Sequence, residues 1–283
     1  DFLEWFWLRD TYEAPAEVPT ILILHGLEGC ARSNYVQDLM RQLGSLGWRA
    51  VVMQYRNCGE KPNRLAQSYH AMRWQELDWT VENLRGRFPE APIGVVGFSI
   101  GGSILLNWLG QYEIKNIAAA CAISVPYKLA PCADRLNQGF SKIYQTYLMG
   151  RLKRSAVRKG DLLKDALGLS DLSQINKLNT LWEFDDLLTA PLHGFTNVHD
   201  YYEKASCRQY LKSVQVPTLL VHALDDPFMA PEVVPQASEL SGLIQTAFVP
   251  LGGHVGFVSG SLPGKEWSWL SQIFPSFFET NLH

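Results

Sequence analysis

Cysteine is scarce in this chain of 283 residues: Cys30, Cys58, Cys121, Cys132 and Cys207, an odd number with scattered spacing and no C-x-x-C. A disulfide framework or a thiolate metal site needs paired cysteines, so these read as free thiols and point to a reducing, cytoplasmic setting. No apolar run approaches the ~20 residues that a membrane-spanning helix requires. The opening DFLEWFWLRD lacks both the basic start and the cleavage site of a secretory signal, and the first residue is Asp1, so an upstream segment is expected to be missing. Neither sign of charge dominates, with 25 Lys and Arg against 28 Asp and Glu. The broad basic field of a nucleic-acid binder is therefore absent, and no nucleic-acid partner is expected. Neither nucleotide cradle, G-x-x-x-x-G-K-[ST] nor G-x-G-x-x-G, occurs, and there is no H-E-x-x-H, so no cofactor and no metal is expected. Internal repeats and low-complexity stretches are missing too, which excludes a solenoid.

What is present is globular: 47% hydrophobic and 19% charged residues, enough apolar side chain for a sizeable core. Short apolar runs at 21–24, 50–55, 93–96 and 118–123 are bounded by turn formers, as strands buried on both faces of a parallel sheet are. Helix-like stretches lie between them. Trp74, Leu77, Val81, Leu84 and Phe88 share one helical face, and Ser33 stands where it would cap another helix. The alternation breaks after Pro126. Residues 127–213 read as helices joined by loops, strand signal returns at 218–222 and 247–249, and 267–282 reads as a closing amphipathic helix. The expected fold is α/β, a mostly parallel, doubly wound sheet built from 1–126 and 214–283, with 127–213 inserted as a helical cap.

The sharpest local signal is Gly97-Phe98-Ser99-Ile100-Gly101, a G-x-S-x-G between a predicted strand and a predicted helix. A nucleophile on so sharp a turn needs neighbours without bulk, and the helix N-terminus behind it favours negative charge near the Ser99 hydroxyl. Serine alone is a poor nucleophile, so a base is required. His254, in Leu251-Gly252-Gly253-His254-Val255-Gly256-Phe257 after the last strand, is the candidate. An acid must fix its tautomer, and Asp225 and Asp226 both follow the 218–222 strand. Asp226 is preferred, because it stands where an H-G-x-x-D pattern places the acid, with Ala223 in the glycine position; Asp225 is then a loop residue. The chain order Ser99, Asp226, His254 is the one this kind of fold uses. The backbone N–H groups of Ile100 and of Leu27, in the loop His25-Gly26-Leu27-Glu28-Gly29, are the expected oxyanion donors.

Other residues read as structural. His25 is expected to bond loop backbone, and His222 to be a satisfied core histidine. Arg56-Asn57-Cys58-Gly59 reads as a loop, and Asp185 and Asp186 as cap or loop residues. The basic run Arg151, Lys153, Arg154, Arg158 and Lys159 reads first as a solvated helix face, with contact to an anionic lipid surface as the alternative.

Taken together, HGLEG at 25–29, YRNCGEKPNR at 55–64, GFSIGG at 97–102, FDDLLTAPLHG at 184–194, ALDDPFM at 223–229 and GGHVGF at 252–257 resemble the α/β-hydrolases, and more narrowly the YheT-type branch of predicted esterases. The resemblance spans nearly the whole chain. It implies an α/β-hydrolase fold, ester hydrolysis, and nucleophile, acid and base at Ser99, Asp226 and His254. It also implies eukaryotic cousins that act on acylglycerols or phospholipids, and relatives that begin before Asp1. The expected partner is a small-molecule ester with a short- to medium-chain acyl group or an acylglycerol-like lipid, with weak peripheral membrane contact and an open oligomeric state. Acyl transfer by the same residues, or a ligand-binding protein that has lost catalysis, are the alternatives.

Overall fold

A computed structural model describes residues 1–259 and 267–282. Seven strands form the central sheet: β1 (Glu4–Trp7), β2 (Thr20–Leu24), β3 (Arg49–Gln54), β4 (Ile93–Phe98), β5 (Ala119–Ile123), β6 (Thr218–Ala223) and β7 (Ile244–Val249), in the order β1-β3-β2-β4-β5-β6-β7. All pairings are parallel except β1 with β3. Every residue of β2 to β6 is buried, which is why their centres are apolar with no alternation; the polar Thr20, Arg49, Gln54, Thr218 and His222 lie at or next to strand ends.

Strand geometry sends successive side chains to opposite faces. Leu22, Leu24, Val51, Met53, Val95 and Leu220 pack under α2 (Gln75–Arg87) and α3 (Ile100–Gln111). Ile21, Ile23, Val52, Val96, Cys121 and Val221 face α1 (Asn34–Ser45) and a final helix at Leu270–Asn281. Trp74 stands at the entrance of α2, and Leu77, Val81 and Leu84 form its buried face, as their spacing predicts.

Two strand limits differ from the sequence reading. β1 has no counterpart in it; Trp5 and Trp7 pack on the core while Phe6 points outward, so the strand carries an aromatic alternation at the sheet edge. β7 begins before the apolar run because it is the opposite edge, where Gln245 and Thr246 remain exposed. The closing helix starts at Leu270, later than expected, because the backbone at Trp267–Ser268 pairs with Val258–Ser259. Ser33 does occupy the N-cap of α1, but its hydroxyl accepts from the Cys30 N–H and caps no helical amide.

Between β5 and β6 run α4 (Leu129–Leu136), α5 (Ser141–Val157), α6 (Asp161–Leu167), α7 (Ser173–Lys177), α8 (Leu181–Phe184), a π turn (Asp185–Thr189), α9 (Ala190–Leu192) and α10 (Val198–Ala205). They bury their own apolar cluster, with Met149, Leu152, Leu163, Ile175, Phe184 and Leu188 at its centre. The following 3₁₀ turn, Cys207–Ser213, returns to the sheet layer and adds Cys207 and Leu211 to the α2 and α3 side of the core. Among the described residues no helix is long and apolar enough to cross a membrane.

Candidate active site

Ser99 joins β4 to α3 at φ 51°, ψ −119°, a conformation that costs a residue with a Cβ of order 1–3 kcal/mol. The glycines around it are steric necessities. A Cβ on Gly97 would lie 2.6 Å from the Gly101 carbonyl oxygen, and one on Gly101 would lie 2.6 Å from that of Leu24. The Ser99 N–H donates to the Ile123 carbonyl at 2.8 Å, tying the turn to the neighbouring strand.

The loop after β6 and the loop after β7 meet at this turn. Ser99 Oγ lies 2.9 Å from His254 Nε2, and His254 Nδ1 lies 2.8 Å from Asp226 Oδ2. With the Nδ1–H donating to the carboxylate, Nε2 is the acceptor for the serine hydroxyl. Asp226 is buried, and its Oδ1 accepts the Phe228 N–H at 2.8 Å, so both carboxylate oxygens are assigned. Asp225 lies outside this chain of contacts. Its Oδ1 accepts the N–H groups of Gly252 and Gly253, both at 2.9 Å, and so anchors the loop that carries His254. The Phe228 ring stacks on the His254 imidazole, centroids 4.0 Å apart and planes 12° apart, a contact that nothing in the sequence pattern announces.

Leu27 and Ile100 lie at the same edge of the sheet, and both line the cavity that contains Ser99 and His254. Among the described residues, no backbone hydrogen bond uses either amide. The Leu27 loop is held from three sides. Tyr35 Oη accepts the Gly26 N–H at 2.9 Å, and Tyr69 Oη accepts the Glu28 N–H at 2.6 Å and donates to Glu28 Oε1 at 3.1 Å. Ser155 of α5 donates to Glu28 Oε2 at 2.6 Å. Burial raises the Glu28 carboxyl pKa, opposed by these two hydroxyl bonds and by the charges of Arg151 and Arg154. His25 is buried; its Nδ1–H donates to the Gly26 carbonyl at 2.8 Å, and Nε2 accepts from the Tyr55 N–H at 3.4 Å. Burial lowers its pKa to about 4, so it is a neutral strut of the loop, as its sequence position suggests.

Comparison with known proteins places the fold. Residues 19–261 match the family described as alpha/beta hydrolase fold. The chain belongs to the α/β-hydrolase family. The Escherichia coli (strain K12) protein named "Putative esterase YheT" is 35% identical over 283 residues, all of this chain and 82% of that protein. The mouse protein named phospholipase ABHD3 is 28% identical over 281 residues, 98% of this chain and 68% of its own. A Saccharomyces cerevisiae monoacylglycerol lipase is 29% identical over 256 residues, 88% of this chain and 57% of its own. Among solved structures, the esterase Pf2001 of Pyrococcus furiosus superposes with a TM-score of 0.63 at 18% identity, covering 99% of this chain and 87% of that one, a likeness of fold.

In this α/β-hydrolase the cavity lies between the carboxyl edge of the sheet and helices α4 to α10. Its volume is ≈ 140 Å³, with an apolar wall that includes Leu129, Leu136, Leu148, Leu152, Leu188 and Leu192. Several residues read as structural from the sequence meet it. Asp185, expected as a cap or loop residue, stands at the C-cap of α8 and opens the π turn, but it also accepts from Thr189 Oγ1 at 2.6 Å and Tyr202 Oη at 2.8 Å and lines the cavity. Burial raises its pKa to about 6. Asp186 accepts the Val198 N–H at the start of α10, a capping contact. Lys159 is no solvated residue either; it is buried, and its ammonium donates to the carbonyls of Leu65, Ala66 and Gln67 at 2.6–2.7 Å. Arg158 donates to the Glu60 carbonyl at 2.6 Å. His222 is buried in β6 as expected, but its Nδ1 has no protein partner, so it is not fully satisfied. Asn57 lines the cavity, while Arg56 pairs with Asp1 and Glu76. Among the described residues no group of three or more His, Cys, Asp or Glu is arranged to hold a metal.

Proposed function

We propose that the protein is a serine hydrolase that cleaves carboxylic esters through an acyl-enzyme. The observation that carries this reading is the unbroken run of hydrogen bonds Asp226–His254–Ser99 at the wall of an apolar cavity. His254 takes the Ser99 proton as Oγ attacks the ester carbonyl, and Asp226 stabilises the imidazolium that forms. The Leu27 and Ile100 amides receive the oxyanion, consistent with their having no backbone acceptor of their own among the described residues. The proton on His254 then passes to the leaving alcohol. Water, deprotonated by the same imidazole, releases the acyl group and restores Ser99.

Residues 127–213 act as a cap on the hydrolase core of 1–126 and 214–283, excluding water and choosing the acyl group. A cavity of ≈ 140 Å³ is close to the size that takes one benzene ring, about six carbon-sized atoms. This favours short- to medium-chain acyl groups, and the names of the monoacylglycerol lipase and phospholipase relatives extend the candidates to acylglycerol-like lipids. The test is labelling by a fluorophosphonate together with hydrolysis of p-nitrophenyl esters of increasing chain length. Wild type labels and hydrolyses, and Ser99→Ala does neither; labelling retained by Ser99→Ala would move the nucleophile elsewhere.

A second reading, acyl transfer to an alcohol in place of water, is favoured by one relative, a Saccharomyces cerevisiae protein named medium-chain fatty acid ethyl ester synthase/esterase 2, 27% identical over 93% of this chain and 62% of its own. Product analysis with added ethanol separates the two, since a transferase forms the ethyl ester in preference to the free acid.

A further inference from the structure

Helix α5 buries one face in the cap and leaves another uncovered. Phe140, at its N-cap, and Ile143, Tyr144 and Tyr147 follow the i, i+3, i+4, i+7 spacing of a single face. That face is exposed: Phe140 is 71%, Ile143 60% and Tyr147 60% accessible. The same stripe continues through Arg151, whose guanidinium donates to Tyr147 Oη at 3.1 Å, to Arg154. From Arg135 to Lys159 the chain carries seven basic residues and no acidic one, in a protein whose net charge is −3. An apolar aromatic half followed by a cationic half is the pattern of a helix that lies in the plane of a charged interface.

The stripe is also continuous with the reactive groups. Phe140 meets Tyr144 at 6.0 Å, Tyr144 meets Phe228 at 5.0 Å, and Phe228 stacks on His254 at 4.0 Å, all between ring centroids. Ser141 Oγ donates to the Pro227 carbonyl at 2.6 Å, fixing the start of α5 to the loop that carries Asp226. A surface that received Phe140, Ile143 and Tyr147 would therefore be separated by one ring, that of Tyr144, from the Phe228 ring that packs on His254.

We infer that the exposed face of α5 docks on an anionic phospholipid surface. Phe140, Ile143 and Tyr147 enter the headgroup–acyl boundary, and Arg151, Arg154 and Lys142 meet lipid phosphates and carboxylates. The choice of a lipid over a second copy of the chain rests on charge: a second copy of this stripe offers its arginines no acidic partner, whereas an anionic bilayer does. The docking orients the cavity toward lipid esters, a use that rests on the proposed ester hydrolysis, but the binding itself does not depend on catalysis.

The experiment is flotation of the full chain with vesicles of phosphatidylcholine alone, and of phosphatidylcholine with about a third phosphatidylserine. Wild type and Ser99→Ala float with the anionic vesicles only, and raised salt releases them. The triple variant Phe140→Ser, Ile143→Ser, Tyr147→Ser loses binding at least about tenfold. The pair Arg151→Gln, Arg154→Gln weakens it by about fivefold per arginine. The triple variant hydrolyses a soluble short-chain ester as wild type does, because none of its three residues lines the cavity. Absence of binding to anionic vesicles, or equal binding by wild type and the triple variant, overturns the inference. So does a concentration-dependent dimer abolished by the triple variant, which would make a second copy the occupant. Failure of ester hydrolysis with vesicle binding intact would refute the enzymatic reading and leave the docking standing.

Discussion

Asp226→Asn and Asp225→Asn are the same chemical change at adjacent positions, and the structure assigns them opposite outcomes. Asp226 serves two N–H donors: Phe228 N–H on Oδ1 and His254 Nδ1–H on Oδ2. An asparagine there has one oxygen and one NH2. The fixed backbone donor at Phe228 claims the oxygen, which turns the NH2 toward His254. That ring must then accept at Nδ1 and carry its proton on Nε2, the tautomer that is unable to take a proton from Ser99. Loss of the correct tautomer in a Ser-His-Asp site is worth about 10⁴ in rate, or about 5 kcal/mol of transition-state stabilisation. At position 225 the situation differs. Oδ1 alone accepts from Gly252 and Gly253, and an asparagine oxygen takes both while its NH2 meets solvent. Bonds at so exposed a position are worth less than about 1 kcal/mol in difference, so kcat/KM should stay within about threefold of wild type. The assay is kcat/KM on a p-nitrophenyl ester, with urea unfolding to show that both variants are folded. The argument is refuted if Asp225→Asn falls as far as Asp226→Asn, or if Asp226→Asn stays within about tenfold of wild type.

Two further substitutions test the physics around the site. At position 99 the ordinary preference for alanine over glycine, roughly 0.5–1 kcal/mol, should disappear or reverse in urea unfolding, because only glycine relaxes at φ 51°; an Ser99→Ala protein about 1 kcal/mol more stable than Ser99→Gly would show the turn to be unstrained. Asp185 has its pKa raised by burial from 3.8 to about 6, so the folded state binds more protons than the unfolded one between those values. Its contribution to stability is therefore lost as pH rises from about 4 to about 6, by about 3 kcal/mol, and is constant above. His25, lowered to about 4, acts in the opposite sense, since acidification below the usual histidine range protonates the unfolded chain first. Unfolding free energies of wild type and Asp185→Asn across pH 4–7 should thus diverge in favour of the variant as pH rises; parallel curves would show that Asp185 titrates near its ordinary value.

The sequence alone determined what depends on neighbouring residues. The centres of strands β2 to β6 had to be apolar because both faces are covered, and that requirement is written into consecutive residues. The turn at Ser99 had to be flanked by Gly97 and Gly101 because carbonyl oxygens approach within 2.6 Å of where a Cβ would stand. His25 was legible as a loop strut, and Asp226 was favoured over Asp225 by its offset from a strand end. What only the tertiary structure decided depends on groups far apart in the chain. Trp5 and Trp7 become strand residues when β3 offers an edge. Lys159 leaves solvent because three carbonyls from residues 65–67 converge on it. Asp185 becomes a cavity carboxylate because Tyr202 and Thr189 close over it, and Phe228 becomes the companion of His254 because two loops cross. Backbone sterics and burial act over a few residues and leave local patterns; the carbonyls that receive Lys159 lie more than ninety residues away, and no short stretch of sequence records such a convergence.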